Sequence, residues 1–286
     1  MRPLLSIIIL TWNGEEEISK LIQSFRDFPP QISCQLIFVD NGSKDTTVSQ
    51  IIDIAKKPGP YQVTTLFHSD NLGYTQGNNS ALPYIKGKYT LFLNQDIVIQ
   101  SGTLDALVEI LEKDAEEYYG AVAPQLRYPD GIIQHSVRSL PTPKTMLGHY
   151  IQGKWQDNFD YNHNQDCEQP MAAAFMIRTH LLQDIQGFDP DPHMWLFFND
   201  VDLCHTILHY GYHIYFVASH FLVHGHGKST QKIPSTQKLG LWHKGMIYYF
   251  KKWYITRIDQ QFFLYLGVAI SFLALGIRNH IRHLTS

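Results

Sequence analysis

LFLNQDIVI, residues 91–99, runs three apolar residues into Asn94, Gln95 and Asp96 and then turns apolar again. A short apolar run that stops at a carboxylate reads as a buried strand whose end presents an acid. Outward from it, short apolar runs alternate with amphipathic stretches along the first half of the chain. LLSIIIL precedes a helical segment over residues 15–28, with acids in its first turn and Ile18, Leu21, Ile22 and Phe25 spaced along one face. LIFV precedes residues 45–56, QVTTLF precedes 74–85, YTLFL precedes 102–115, and GAVAP follows. Five apolar runs separated by helical segments predict an α/β fold, with a mostly parallel central sheet flanked by helices.

Beyond that series the pattern changes. Residues 126–170 lose their periodicity to Pro, Gly, Asn and aromatic residues and read as a long loop region. AAAFMI restores a strand, residues 199–210 read as a helix capped by Asn199, HIYFV and FLVH read as strands, and the remainder reads as helical. Three cysteines, Cys34, Cys167 and Cys204, lack metal-ligand spacing and suit a reducing, cytoplasmic compartment. The opening MRPLLSIIIL passes into TWNGEEE without a small-residue cleavage site, so it reads as the first strand rather than a leader.

In open α/β sheets, ligands bind at the carboxyl ends of the strands. Here the first strand ends in Thr11, Trp12 and Asn13, the second in Asp40, Asn41, Gly42 and Ser43, the third leads to Asp70, Asn71 and Gly73, and the fourth ends in Asn94, Gln95 and Asp96. One such ending is a loop; four on one edge make a site. A dinucleotide fold would need G-x-G-x-x-G after the first strand, where TWNGEEE stands, with acids that repel a pyrophosphate. GHGKST at residues 225–230 resembles the end of a P-loop but lacks the leading glycine, Leu222 standing in its place.

LSIIILTWN, LIFVDNGSKDTT, DNLGYTQGNNSAL, YTLFLNQD, GFDPDPHMWLFFNDVDLC and LVHGHGKS, taken in series, resemble the family 2 glycosyltransferases and their rhamnosyltransferase-like branch. The resemblance spans residues 4–229. It implies a GT-A fold, a nucleotide-diphosphate sugar donor, a divalent metal (Mn²⁺ or Mg²⁺) and transfer with inversion. On it, Asp40 contacts the nucleoside, Trp12 stacks on the base, and Asn94 and Gln95 stand in the donor-site motif; Thr11, Asn13, Asn71 and Gly73 join them from the strand ends, and Lys228 either closes on the diphosphate or is a solvated surface lysine. Asp96 and His224 reach the metal, Asp200 is the catalytic base, and Trp195 and Asn199 face the acceptor. The chain departs from the pattern in having Asn94 where Asp is usual and Asn199 where Glu is usual. Those departures keep open a sugar-nucleotide or glycan-binding relative with impaired catalysis, and the histidines 220, 224 and 226 keep open a zinc site.

The chemistry agrees with these residue types. A bound divalent ion acts as a Lewis acid on a diphosphate leaving group, Mg²⁺ needs only one or two protein carboxylates, and an imidazole ligand favours Mn²⁺. A carboxylate can take the acceptor's proton.

A formal charge of −3 excludes a broadly basic nucleic-acid surface, yet residues 238–286 carry +6, leaving −9 for the rest. Within that tail QQFFLYLGVAISFLALGI, residues 260–277, is uncharged, and MIYYFKKWY before it mixes aromatic and basic residues as an interfacial belt does. The expectation is a catalytic domain over residues 1–235, its nucleotide-sugar half ending near 125, with a helical extension over 236–286. That extension would meet the inner face of the cell membrane, where a lipid-linked glycan acceptor resides, or else pack as a C-terminal hairpin or pair two copies of the chain.

Overall fold

The structure, a computed structural model, describes residues 2–57, 59–146, 158–225 and 234–255. The uncharged run at residues 260–277 lies outside the described residues, as do Lys228 and His226. Four strands and four helices alternate first: β1 (Leu5–Thr11), α1 (Glu15–Asp27), β2 (Cys34–Asp40), α2 (Thr47–Lys56), β3 (Gln62–Phe67), α3 (Gly73–Asn79), β4 (Tyr89–Asn94) and, after the two-residue β5 (Ile97–Val98), α4 (Thr103–Lys113). The apolar positions expected on one face of α1, Ile18, Leu21, Ile22 and Phe25, are all buried. They pack with Ile51 of α2 and Leu104, Leu107, Val108 and Leu111 of α4 on one face of the sheet.

β6 (Tyr119–Arg127) is followed by three short strands, β7 (Val137–Arg138), β8 (Gln165–Cys167) and β9 (Gln169–Pro170), within the stretch expected to be loop. Then come β10 (Ala174–Arg178), α5 (Thr179–Asp184), α6 (Asn199–His209), β11 (His213–His224) and α7 (Ser235–Trp253). Phe188, Leu181, Leu182, Leu203, Cys204 and Ile207 fill the opposite face of the sheet.

Among the described residues the central sheet has nine strands in the order β3-β2-β1-β4-β10-β6-β11-β5, with β8 added to β11. The pairs β3/β2, β2/β1, β1/β4 and β6/β11 are parallel, whereas β10 is antiparallel to both its neighbours and β11 is antiparallel to β5 and β8. The parallel half is what the βαβ alternation demands; the reversed β10 turns the whole into a mixed sheet. Register then sets the edge. Thr11 sits opposite Asp40 and Leu10 opposite Asn94, so three strands end at one level. Because β10 runs the other way, its leading residues reach the same edge, and the Asn94 N–H donates to the Ala173 carbonyl (2.9 Å).

Two local expectations are corrected. Asn199 does not cap α6: Phe198 holds that position in the left-handed region (φ 65°), and the Asn199 amide instead donates to the Leu196 carbonyl (2.9 Å). MIYYFKKWY is not an interfacial belt. Met246, Tyr249 and Phe250 are buried against Met194 and Phe198 in a third apolar cluster. Lys252 donates to Asp189 (2.7 Å) and to the buried Asp202 (2.8 Å), and Trp253 Nε1 donates to Asp202 (2.7 Å). A Cβ on Gly245 would lie 2.5 Å from the Phe197 carbonyl oxygen, so only glycine permits this close docking of α7. Among the described residues no helix is long and apolar enough to cross a membrane.

Candidate active site

At the carboxyl edge of the sheet lies a cavity of about 450 Å³. Its wall includes Thr11 and Trp12 from the end of β1, Asn71 and Gly73 from the start of α3, and Asn94, Gln95 and Asp96 after β4. Trp195, Asn199 and Asp200 from the approach to α6 and His224 from the end of β11 complete the set. The strand ends, the turn before α6 and the late histidine, far apart in sequence, thus face one space.

Asp96 and His224 meet because β5, directly after Asp96, pairs antiparallel with the end of β11, aligning His224 with Ile97. The Gly225 N–H donates to the Asp96 carbonyl (2.9 Å) and locks the corner. His224 Nε2 lies 3.4 Å from Asp96 Oδ1, with both side chains almost fully buried. A buried carboxylate and imidazole converging in this way offer one hard oxygen and one nitrogen donor, a set that Mn²⁺ accepts. Among the described residues no three His, Cys, Asp or Glu side chains gather as a metal site, which removes the three-ligand zinc arrangement from the described part of the histidine cluster. A divalent ion here would complete its shell from a ligand and water, as Mg²⁺ and Mn²⁺ sites on phosphates do.

Asp200 is the second residue of α6, on the other side of the cavity. Burial pushes its carboxyl above the usual aspartate range, opposed by the Val201 N–H and then by the charge of Arg138. The Val201 N–H donates to Oδ1 (2.9 Å) and Gln169 Nε2 approaches Oδ2 (3.5 Å). Arg138 and Gln169 come from β7 and β9, where they face each other in register. A helix start favours the ionised form; here desolvation outweighs it.

The residues expected to form the donor side divide in two. Trp12, Asn71 and Asn94 present side chains to the cavity wall, whereas Asp40, Asn13 and Gln95 brace it. Asp40, 1 % exposed, lies behind the wall and accepts from Thr11 Oγ1 (3.0 Å), from the Ser43 N–H (2.9 Å) and from the Ser43 hydroxyl. Asn13, at φ 47°, accepts the Lys44 N–H (2.7 Å). Gln95 clasps the Trp12 backbone, accepting its N–H (2.9 Å) and donating to its carbonyl (3.3 Å). Gly73, at φ 79°, sits so close under Trp195 that a Cβ would lie 2.5 Å from the indole, and the Tyr74 N–H donates to the Trp195 carbonyl (2.8 Å). Asn41, which no motif assignment had claimed, is 2 % exposed and donates to the Gly73 carbonyl (2.9 Å), and among the described residues its Oδ1 meets no hydrogen-bond partner.

Several wall residues carry no sequence signal. Trp242 arrives from α7, Arg138 and Gln169 from strands two residues long, and Met171, Ala172 and Ala173 from the approach to β10. Tyr74 donates its hydroxyl to the Ala172 carbonyl (2.6 Å), and burial raises its pKa well above the usual range.

The sequence pattern described as "Glycosyl transferase family 2" matches residues 6–201. An N-acetylglucosaminyl-diphospho-decaprenol L-rhamnosyltransferase of Mycobacterium tuberculosis is 22% identical over 266 residues, covering 85% of this chain and 83% of that protein. An uncharacterized protein of Sinorhizobium fredii is 23% identical over 263 residues, 88% of this chain but only 28% of the longer relative. Among solved structures, the mannosyltransferase PcManGT of Pyrobaculum calidifontis in complex with GDP-Man and Mn²⁺ superposes with a TM-score of 0.61 at 15% identity, over 97% of this chain and 76% of that one. GalNAc-T7 with UDP, GalNAc and Mn²⁺ superposes with a TM-score of 0.60 at 14% identity, over 78% and 44%. A mixed sheet with this edge, a match over residues 6–201 and these neighbours converge on one conclusion: the chain has a GT-A fold and belongs to glycosyl transferase family 2.

Proposed function

We propose that this chain is an inverting, metal-dependent glycosyltransferase that moves a sugar from a nucleoside diphosphate to a saccharide hydroxyl. The observation that carries the reading is that the Asp96–His224 pair and the half-sheltered Asp200 carboxylate line one cavity. Asp96 and His224 would hold Mn²⁺ or Mg²⁺, which when bound neutralises charge on the departing diphosphate. Trp12 stacks on the nucleoside base, and Thr11, Asn71, Gly73 and Asn94 shape the donor side. Asp40, Asn13 and Gln95 keep that side in place, and Lys228 closes on the diphosphate.

Asp200 takes the acceptor proton. As the O–H bond breaks, the oxygen forms a bond to the anomeric carbon, and the bond from that carbon to the diphosphate oxygen breaks on the opposite face. The electron pair leaves with the nucleotide. A carboxylate whose pKa is raised is the stronger proton acceptor, which suits a base working near neutrality. Trp195 and Trp242 offer flat faces for the acceptor ring, while Asn199 sets the turn that carries Trp195.

The donor we favour is dTDP-rhamnose, with a UDP-sugar second, supported by the mycobacterial relative that transfers L-rhamnose. The acceptor is a glycan or lipid-linked saccharide of the cell envelope, by the same relative's name. We place the work at the cytoplasmic face of the membrane, approached through residues 256–286. Since α7 is docked on the catalytic body, we draw the functional unit as residues 1–255.

The test is nucleotide release by purified protein from dTDP-, UDP- and GDP-sugars with Mn²⁺, Mg²⁺ or EDTA, beside Asp96→Ala and Asp200→Asn. One nucleotide should be released only with metal. Asp200→Asn should lower turnover by about 10²–10⁴-fold with donor binding retained, and Asp96→Ala should lose the metal requirement together with the activity. Full turnover in EDTA, or an unaffected Asp200→Asn, would sink the mechanism.

A further inference from the structure

We propose that Gln134 is a positioning residue that fixes the tautomer of His224, holding the proton on Nδ1 and leaving the Nε2 lone pair facing Asp96 as a ready cation ligand. The inference rests on the reading of Asp96 and His224 as the cation site.

Gln134 comes from the stretch between β6 and β7 that had no recognisable periodicity, yet it is as deeply buried as His224. Its backbone is held on both sides: its N–H donates to the Leu126 carbonyl (2.8 Å), and its carbonyl accepts from the Ser136 N–H (2.8 Å). The side chain makes two contacts, and both go to His224. Nε2 donates to the His224 carbonyl (2.8 Å), and Oε1 lies 2.9 Å from His224 Nδ1.

The first contact determines the second. A backbone carbonyl can only accept, so the amide cannot be turned over without facing oxygen to oxygen. With Oε1 thereby committed to the imidazole, Nδ1 must be the donor. A neutral imidazole carrying its proton on Nδ1 has its lone pair on Nε2, and Nε2 points at Asp96 Oδ1 from 3.4 Å. In that tautomer Nε2 and the Asp96 carboxylate are both acceptors, and two acceptors facing each other in a buried corner are disposed to share a cation. A hydrogen-bond acceptor behind a ligating histidine fixes its ring orientation and raises its basicity, and losing such a partner typically costs about 10–100-fold in metal affinity.

Gln134 could instead serve only to tie its loop to the end of β11, and the test separates the two roles. In metal-free protein with ¹⁵N-labelled histidine, long-range ¹H–¹⁵N correlation spectra report which ring nitrogen carries the proton, the His224 signals being those missing from His224→Ala. Wild-type protein should show His224 protonated at Nδ1, and this measurement needs no variant that must fold. Gln134→Met, similar in size without an acceptor oxygen, should lose that preference and bind Mn²⁺ about 10–100-fold more weakly by calorimetry, with Mn²⁺ added alone and with UDP. Gln134→Glu keeps the acceptor facing Nδ1 but sets its other oxygen against the His224 carbonyl, so it should retain the tautomer while lowering the protein's stability. A wild-type His224 protonated at Nε2 overturns the inference. So does a Gln134→Met protein that binds Mn²⁺ as wild type does while His224→Ala does not, and that result leaves the cation site standing. If His224→Ala also binds Mn²⁺ unchanged, the reading of the cation site fails and takes this inference with it.

Discussion

The carboxylate of Asp200 sits where burial raises its pKa, while the Val201 N–H and the charge of Arg138 pull the other way. A base works as the carboxylate, so activity falls as pH drops through its pKa in the folded protein. Replacing Arg138 by Gln removes one of the opposing influences, and the acid limb of the kcat/KM profile should move to higher pH, with the alkaline limb unmoved. A limb that stays put would mean that Arg138 does not act on Asp200 through charge. At this scale, what could be read from the chain was the residues that stand in recognisable motifs: Asp96, Asp200 and His224 were singled out, and the fold brings all three to one cavity. Arg138, Gln134, Gln169 and Trp242 were not legible, because nothing local distinguishes them. Their places depend on pairings across tens of residues, such as Gln134 with His224. Asp40 shows the converse, a motif residue that the fold turns inward to hold Thr11 and Ser43.

Helices α1, α2 and α4 and the first four strands lie within a residue or two of where periodicity places them; α1 and α4 each bury an apolar face, and β1, β2 and β4 are buried along almost their whole length. β7 and β9 are two residues long, too short for alternation to register, and so they passed for loop. α7 was misread for another reason: aromatic and basic residues in alternation suit a membrane interface and a protein groove equally. The buried carboxylate that receives both Lys252 and the Trp253 indole, Asp202, lies some 50 residues earlier. The seam between α6 and α7 carries a histidine whose titration should couple stability to pH. His205 stacks on Trp253 (3.9 Å between ring centroids) and pairs with the Tyr249 hydroxyl (2.8 Å). Burial, then His209 and Lys252, lowers its pKa. A histidine whose pKa is depressed by folding takes up protons more readily in the unfolded chain. Its contribution to stability is therefore complete above the unfolded pKa of about 6.5 and is lost as pH falls below it. Asp202, whose pKa burial raises, contributes with the opposite sign, and Asp189, held below the usual range, with the same sign. The clean measurement is therefore a difference. Urea midpoints of wild type and His205→Gln, compared from about pH 7 to 5, should show a shallower fall in the variant; parallel curves would remove His205 from the account.

Across the whole molecule, the α/β class was legible and the strand order was not. Local patterns say which segments are strands but not which neighbours they choose, and β10 takes its place between β4 and β6 antiparallel to both. That reversal has a consequence for how the molecule is made. β4, with five of its six residues buried, pairs with β1 on one side and waits on the other for a partner that begins 80 residues later. Among the described residues β6 reaches β4 only by way of β10, so when a ribosome has released the first 125 residues the layered first half still shows a bare apolar edge. Such an edge is a template for pairing with the wrong chain. Residues 1–125 expressed alone should aggregate, and residues 1–178 should be measurably more soluble. A monodisperse 1–125 fragment with a cooperative unfolding transition would show that the edge closes by itself. The first half of the sheet would then be a finished part; as built, it is a page that cannot be turned until the later one is bound in.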